Sequence, residues 1–310
     1  MTMKISTSFL FDRATDRMSG IQNKLAKTQA QMATGKQILS PSDSPDKAAA
    51  IQRLRGEVDR QDSHLRTLQV AMRRYTAEET ALTSANDILI RFKELGLQAA
   101  NDTLGLDDRR AIAVELRALR DQLLTLGNTR DDSGNYIFSG TRVNTPAFAQ
   151  QADGQVVYQG DQTQTRVPAG VERTVAYTRS GTDVFTRVVR EEGGQSASVS
   201  FFDAIDQMTA AVESSHTAGI QRGVKDVDAM QFNISLAIAQ TGSDQAVVRS
   251  QMDVIDETAL RLKSTLSDIE DLNYAEAVTR MNKEQLALEA AMGSFAKISG
   301  LSLFDYIRGG

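Results

Sequence analysis

The 310-residue chain is 41% hydrophobic but only 5% aromatic, and it contains neither Trp nor Cys. So few aromatic side chains argue against one large globular core and favour helices that pack through Leu, Ala, Ile and Met. The absence of Cys excludes disulfide bonds and thiolate metal sites. The net charge is −5 with both signs interspersed, which argues against a basic face for nucleic acid.

Two kinds of membrane-related segment are also disfavoured. The chain has no uninterrupted apolar run of about 18 residues, so no membrane-spanning helix is predicted. The N-terminus, residues 1–8, lacks the basic start and apolar middle of a cleaved secretion signal. If the protein leaves the cell, we expect it to use a route without that signal.

Residues 1–45 are predicted to form an assembly segment, a helix followed by a turn. Apolar residues recur at steps of three and four, the spacing of a helix that packs on a partner. The pattern ends at Gly35, and Pro41 and Pro45 each disfavour helix at the preceding residue. Ser44 is a candidate N-cap for the next helix, with Pro45 at its first position. The candidate contact residues are Phe11, Met18, Ile21 and Leu25.

Residues 46–135 are predicted to form the N-terminal part of a helical bundle. The two helices expected there cover 46–99 and 107–127, with Thr103 or Asp107 as the cap of the second. Polar residues interrupt the first seam, which is typical of bundles of several helices. The candidate seam residues are Leu54, Val58, Leu65, Leu68, Met72, Leu82, Leu89, Ile112, Leu116, Leu119 and Leu123, with Gln61, Glu79 and Asn86 as the polar seam positions.

Residues 136–195 are predicted to form a small β-rich outer domain. Asp153-Gly154 is a hairpin-type dipeptide, and Gly and Pro separate short runs of β-branched and aromatic residues. The segment 191–195 is interpreted as an exposed linker. The acidic loop 131–135 before this domain lacks the spacing of an EF-hand, so it is not predicted to bind a metal. The predicted strands are 156–158, 165–167 and 174–177.

Residues 196–242 are predicted to return as helices and to end at Thr241-Gly242-Ser243. Ser243 is then the expected N-cap of a C-terminal bundle helix, residues 243–273. The apolar seam of that helix loses its phase at 270–273, so the last segment, 274–310, is predicted to have a separate assembly role. The bundle seam residues are Met252, Ile255, Leu262, Leu266 and Ile269, and the assembly or chaperone-contacting residues are Val278, Met281, Leu288, Met292, Phe295, Ile298 and Leu301.

The predicted fold is mainly α with a β-rich insert. A long antiparallel, coiled-coil-like bundle is built from both chain ends, and a small, mostly β outer domain lies in the middle. Long helices with a single apolar stripe are not stable alone in water, because their stability comes from burying that stripe.

Several motifs resemble those of flagellin-type proteins. These are the start Met3–Thr7, the helix break Pro41–Pro45, the loop Asn128–Gly140 and the C-terminal pieces Ile269–Ala277 and Ser302–Ile307. The joint match at both ends, in the right order, is specific. Within the family, the loop and the break are similar to those of subunits at the junction between hook and filament.

The resemblance implies structural work outside the cell. Such subunits are exported unfolded by the flagellar type III apparatus, and their terminal segments are disordered until assembly. The implied partners are hook-associated protein 1, flagellin, other copies of the same chain in a ring, an export chaperone and the export gate. No cofactor, nucleic acid or membrane is implied. A subunit of the flagellin filament is the alternative.

An enzyme and a binding module are the two other function classes. The sequence contains no His-Glu-x-x-His zinc motif, no Gly-x-Ser-x-Gly elbow, no phosphate loop and no thiol nucleophile, so no catalytic, cofactor-binding or metal-binding residue is predicted. A binding module in the middle domain stays open, and nothing in that sequence indicates a ligand.

Overall fold

The computed structural model describes the backbone of residues 2–168, 174–192 and 195–308, and the backbone alone at 2–8, 10, 191, 192, 195 and 298–308. Its helices are α1 Thr2–Thr34, α2 Pro45–Ala99, α3 Leu106–Gly127, α4 Gly181–Val184, α5 Phe201–Glu213, α6 Thr217–Glu270 and α7 Tyr274–Arg308. Among the described residues, the strands form three antiparallel pairs: β1 Phe148–Gln150 with β2 Val156–Tyr158, β3 Arg166–Pro168 with β4 Thr174–Ala176, and β5 Val188–Glu192 with β6 Gln195–Val199. The predicted mainly α fold with a small β-containing middle is confirmed.

The chain divides into two compact units. Unit 1 comprises Met1–Arg60 and Thr258–Gly310, and unit 2 comprises Gln61–Glu257. Helices α2 and α6 therefore contribute to both units, whereas the predicted boundaries lay at residues 45 and 273. In unit 1, the long terminal helices α1 and α7 pack against each other.

The main core of unit 2 joins the helices to the hairpin β1–β2. Several of the few aromatic residues gather here: the Phe148 ring lies 5.3 Å from those of Phe185 and Phe202, and the Phe185 ring lies 5.2 Å from that of Phe201. Leu116 of α3 and other Leu, Ile and Ala residues of α2, α5 and α6 complete this core. Edge-to-face rings add directional contacts to the apolar burial.

A second, smaller core of unit 2 lies between α2, α6 and β4. Leu68 and Tyr75 of α2 pack with Val248 and Ile255 of α6, and Val175 of β4 covers them. This cluster is the seam between the two long helices that the apolar spacing predicted.

Helix boundaries near prolines and at the seam phase shift are confirmed. The 3-10 turn Pro41–Asp43 precedes α2, which begins at Pro45. Helix α6 ends at Glu270 and α7 begins at Tyr274, so the loss of phase at 270–273 marks a real break.

The predicted helix end at Thr241-Gly242-Ser243 is wrong, because α6 runs unbroken from Thr217 to Glu270. The Thr241 hydroxyl is fully buried and donates to the carbonyl of Ala237 one turn earlier and to Glu78. Packing on both sides of Gly242 therefore outweighs its low helix propensity.

Two local predictions are also wrong. Within the predicted linker 191–195, Glu191, Glu192 and Gln195 belong to strands, because β5 and β6 pair from Val188↔Val199 to Glu192↔Gln195, and residues 193 and 194 lie outside the described residues. Helix α3 is capped neither by Thr103 nor by Asp107: its N-cap is Gly105, which has no capping side chain. The Thr103 hydroxyl instead donates to Asn101 in the preceding turn.

Candidate assembly surfaces

Helices α1 and α7 form the first candidate surface. The Phe11 ring of α1 lies 4.6 Å from the Phe295 ring of α7 in an edge-to-face contact. The other α1 residues that the sequence singled out, Met18, Ile21 and Leu25, are half-buried, and Thr28 is fully buried. The spacing of steps of three and four places all of them on one side of α1.

The predicted stripe of α7 divides into two. Met281, Leu288 and Phe295 are half-buried, whereas Val278 and Met292 are 39% and 45% exposed. The half-buried positions continue the line that begins at the fully buried Ala277, while Val278 and Met292 lie on the neighbouring, open side. The side chains of Ile298 and Leu301 lie outside the described residues.

A short clasp joins the two ends of the chain at the α6–α7 break. The amide of Leu272 donates to the carbonyl of Gly35 at 2.9 Å, and the amide of Gln37 donates to the carbonyl of Glu270 at 2.7 Å. The Tyr274 hydroxyl donates to the carbonyl of Met32 at 3.0 Å. Gly35 has a φ of +71°, a left-handed conformation that Gly adopts without steric cost.

Glu270 is the charged centre of this clasp. Its carboxylate lies 2.5 Å from both Lys36 Nζ and Arg55 Nη2, and it is almost fully buried. The hydrogen bond from Lys36, together with Arg55, lowers the pKa of Glu270 below its ordinary value. Sequence spacing gave no signal for this group, because its partners lie more than 200 residues away along the chain.

The Pro-rich turn is organised by Asp43. Its carboxylate accepts the amides of Leu39 at 3.0 Å and Ser40 at 3.1 Å, and Lys27 Nζ at 2.6 Å. These hydrogen bonds, that of Lys27 first, lower the pKa of Asp43 to about 2. The motif Pro41–Pro45 therefore builds a defined turn that holds the end of α1.

The predicted bundle residues all lie in protected positions. Those that are buried are Val58, Leu68, Leu82, Leu89, Ile112, Leu116, Leu123 and Ile255, and those that are half-buried are Leu54, Leu65, Met72, Leu119, Met252, Leu262, Leu266 and Ile269. The predicted polar seam positions are half-buried, and the buried acid on α2 is Glu78 rather than its neighbour Glu79.

Arg74 ties helix α2 to the loop that resembles the family's entry to its outer domain. Its guanidinium donates to Asp131 at 2.9 Å and to the carbonyls of Tyr136 at 3.3 Å and Ile137 at 3.0 Å. The same group lies 5.0 Å above the Tyr177 ring. The side chain of Arg74 is only 2% exposed, so its charge is fully committed to these contacts. The carboxylate of the acidic loop is thus part of an ion pair.

A second polar contact holds the β3–β4 hairpin on the helices. Glu78 Oε1 lies 2.5 Å from Arg179 Nε. Arg179 Nη2 donates to Asp244 Oδ2 at 3.1 Å. Burial raises the pKa of Glu78. The Tyr75 hydroxyl donates to the carbonyl of Ala176 in β4. The sequence analysis missed Glu78, Arg179 and Asp244, because a search for regularly spaced apolar residues does not detect charged residues beside the seam.

Burial raises the pKa of Tyr75 to about 12 from an ordinary value of 10.0. The raised pKa means that the folded state favours the neutral hydroxyl. The contribution of this hydroxyl to the stability of the fold is therefore present below pH 10 and is lost as the pH rises from 10 towards 12. We expect Tyr75→Phe to be less stable than the parent by about 1 kcal/mol at pH 8. This gap closes above pH 10, since only the parent has this buried phenol to ionise. Urea unfolding at pH 8, 10 and 11 measures it, and a constant gap would contradict the assignment.

Among the described residues, no group of three or more His, Cys, Asp or Glu side chains could hold a metal ion. In that part of the chain, no helix is both long and apolar enough to cross a membrane. The features that the geometry offers are therefore helix surfaces and their polar clasps.

Comparisons with known proteins show similarity to flagellar proteins along nearly the whole chain. The chain is 26% identical to flagellar hook-associated protein 3 of Salmonella typhimurium over 99% of this chain and 100% of the relative. It is 22% identical to Bacillus subtilis flagellin over 95% of this chain and 96% of that protein.

A solved structure shares the fold. The putative flagellar hook-associated protein from Vibrio parahaemolyticus matches 74% of this chain and 100% of its own, with a TM-score of 0.64 and 21% identity. The model of the bacterial flagellin N-terminal helical region matches residues 5–143, and that of the C-terminal helical region matches residues 224–307. The chain therefore belongs to the bacterial flagellin family.

Proposed function

We propose that the chain is a structural subunit of the junction between the flagellar hook and the flagellin filament, built into it through α1 and α7. The similarity to flagellar hook-associated protein 3 along the full chain supports this assignment. Hook-associated protein 1 on one side and flagellin on the other are the partners, with further copies of the chain completing a ring.

The observation that carries the proposal is the excess of apolar surface on α7. Tyr274, Val278 and Met292 are 51%, 39% and 45% exposed. Steps of four and fourteen residues place them along one line of the helix at about 3.6 residues per turn. That line lies directly beside the stripe of Ala277 and Leu288, so the apolar arc of α7 is wider than α1 covers.

A pair of helices with so much open apolar surface is incomplete by itself. Burying each large apolar side chain contributes about 1.5–3 kcal/mol, while ordering each residue costs about 1–2 kcal/mol of backbone entropy alone. Neighbouring subunits supply the missing burial. In this proposal the terminal segments 1–45 and 274–310 are disordered in the free chain and fold on assembly.

Export precedes assembly in this proposal. The unfolded chain leaves the cytoplasm through the type III export gate, and a chaperone covers the apolar arc of α7 until then. The protein then works outside the cell, and the assignment includes no chemical reaction.

Immunogold labelling of intact flagella tests the assignment. We expect a single band of label between hook and filament, with a strain lacking the gene as the control for antibody specificity. Label along the whole filament would show a filament subunit instead, and thousands of copies per flagellum would lead to the same conclusion.

A further inference from the structure

Unit 2 carries a line of exposed apolar side chains along the outer face of α6. Phe232 is 70% exposed, Leu236 61%, Val247 44% and Val254 53%. Steps of four, eleven and seven residues keep all four on one side of a helix with about 3.6 residues per turn. We call this line the outer α6 stripe.

The first half of the outer α6 stripe lies in a segment without charged residues, which is unusual for a helix surface that faces solvent. No charged residue occurs between Asp228 and Asp244. The exposed face of a helix in a globular protein normally carries charged and polar residues. The large aromatic ring of Phe232 stands at one end of the stripe, within the uncharged segment 229–243, and favours contact with another protein surface.

The same unit contains a concave surface of matching character on α2. A groove of about 490 Å³ is lined by Thr76, Ala77, Thr80 and Ser84 of α2 and by Leu126 of α3, among others. These lining residues are uncharged and mostly small, so a ring can approach the helix closely. At its rim, Arg73 and Asp132 lie 3.6 Å apart and compensate each other's charge. We call this the α2 groove.

The stripe and the groove lie on opposite sides of unit 2. Residues of α2 that contact α6, such as Tyr75 and Glu78, lie about half a turn around the helix from Thr76 and Thr80. On α6, the stripe lies likewise about half a turn from Ile234 and Val248, which are fully buried. One chain therefore cannot fill its own groove with its own stripe.

The stripe on α6 and the groove on α2 also lie at the same height along the axes of the two helices. Thr241 of α6 donates to Glu78 of α2 at 2.9 Å, and Gln245 donates to Glu79 at 2.7 Å. Thr241 and Gln245 flank the middle of the stripe, and Glu78 and Glu79 flank the middle of the groove. A second copy placed side by side, without a shift along the helix axes, brings one surface against the other.

We propose that the outer α6 stripe of one copy packs into the α2 groove of the next copy. This contact is heterologous, because two different surfaces meet, and successive copies continue around a ring or a helical turn. The uncharged segment 229–243 meets the uncharged floor of the groove in it, and the rim charges Arg73 and Asp132 compensate each other. The inference deepens the proposed junction role by naming the surfaces through which copies of unit 2 contact each other.

Engineered disulfides test the contact directly, since the chain has no native Cys. Leu236→Cys and Ser84→Cys, which lie at the same level along the two helices, are introduced singly and together, in a strain that lacks the native gene. Isolated flagella are oxidised, and the chain is followed by immunoblot on a non-reducing gel. Thr80→Cys replaces Ser84→Cys, and Val247→Cys is combined with Thr76→Cys, in parallel, to allow for the short reach of a disulfide.

We expect the double variant to give a ladder of dimers, trimers and larger species, and each single variant to stay monomeric. A mixture of the two single variants is expected to stop at dimers. Dimers of Leu236→Cys alone would overturn the proposal in favour of a two-fold contact, and the absence of a ladder for every level pair would overturn it outright. The immunogold experiment tests the junction role independently of the disulfides. A disulfide ladder together with gold label away from the junction would refute the junction role but support the contact between the stripe and the groove.

Discussion

Replacing Leu288 by Asp is expected to abolish swimming while unit 2 stays folded. Leu288 is half-buried in the stripe of α7 that faces α1. A carboxylate there loses water without gaining a partner, which costs more than the lost apolar burial. Phe295→Asp is expected to act in the same way, because it also removes the ring contact with Phe11. Swimming in soft agar and electron microscopy of the hook tips measure the effect.

Ala290→Asp is the matched control, since it adds the same charge to an exposed position of the same helix, away from both apolar lines of α7. It is expected to swim normally. Urea unfolding of the purified chains should show the same transition for unit 2 in all three variants, because residues 288, 290 and 295 belong to unit 1. Full motility of Leu288→Asp would refute the assembly role of the stripe.

Replacing Arg74 by Ala is expected to lower the free energy of unfolding of unit 2 by about 3–5 kcal/mol, because Asp131 is left as an uncompensated carboxylate. The substitution also removes the donors for the carbonyls of Tyr136 and Ile137 and the cation above Tyr177. Urea unfolding followed by far-UV circular dichroism measures the loss.

The neighbouring Arg73 provides the control. It also pairs with an acid, Asp132, but the two side chains are 59% and 79% exposed. Arg73→Ala is therefore expected to cost about 0–1 kcal/mol. Equal effects of the two substitutions would show that the Arg74 contacts contribute no more than an ordinary surface ion pair.

Helix existence and helix phase were predictable from the sequence, because they depend on local spacing. The apolar steps of three and four located α1, α2, α3 and α7, and the loss of phase located the break before Tyr274. The prolines fixed the start of α2, and Asp153-Gly154 fixed the hairpin β1–β2. Each of these signals acts within a few residues of the feature that it specifies.

Features that depend on distant residues were not predictable. The continuity of α6 through Gly242 follows from the burial of Thr241 against Glu78, which lies 163 residues earlier. The buried charges Arg74 and Glu270 likewise have their roles only because folding brings their partners to them. On α7, the sequence placed Val278 and Met292 on the same stripe as Leu288, and only packing against α1 separates the two lines.

Hydrogen exchange of the free chain and of intact flagella tests the central claim most directly, which is that neighbouring subunits complete the terminal helices. Peptides from residues 274–297 are expected to exchange within seconds in the free chain and to be protected in flagella. Peptides from α3 in unit 2 should be protected in both. Equal protection of residues 274–297 in the free chain and in flagella would contradict the account.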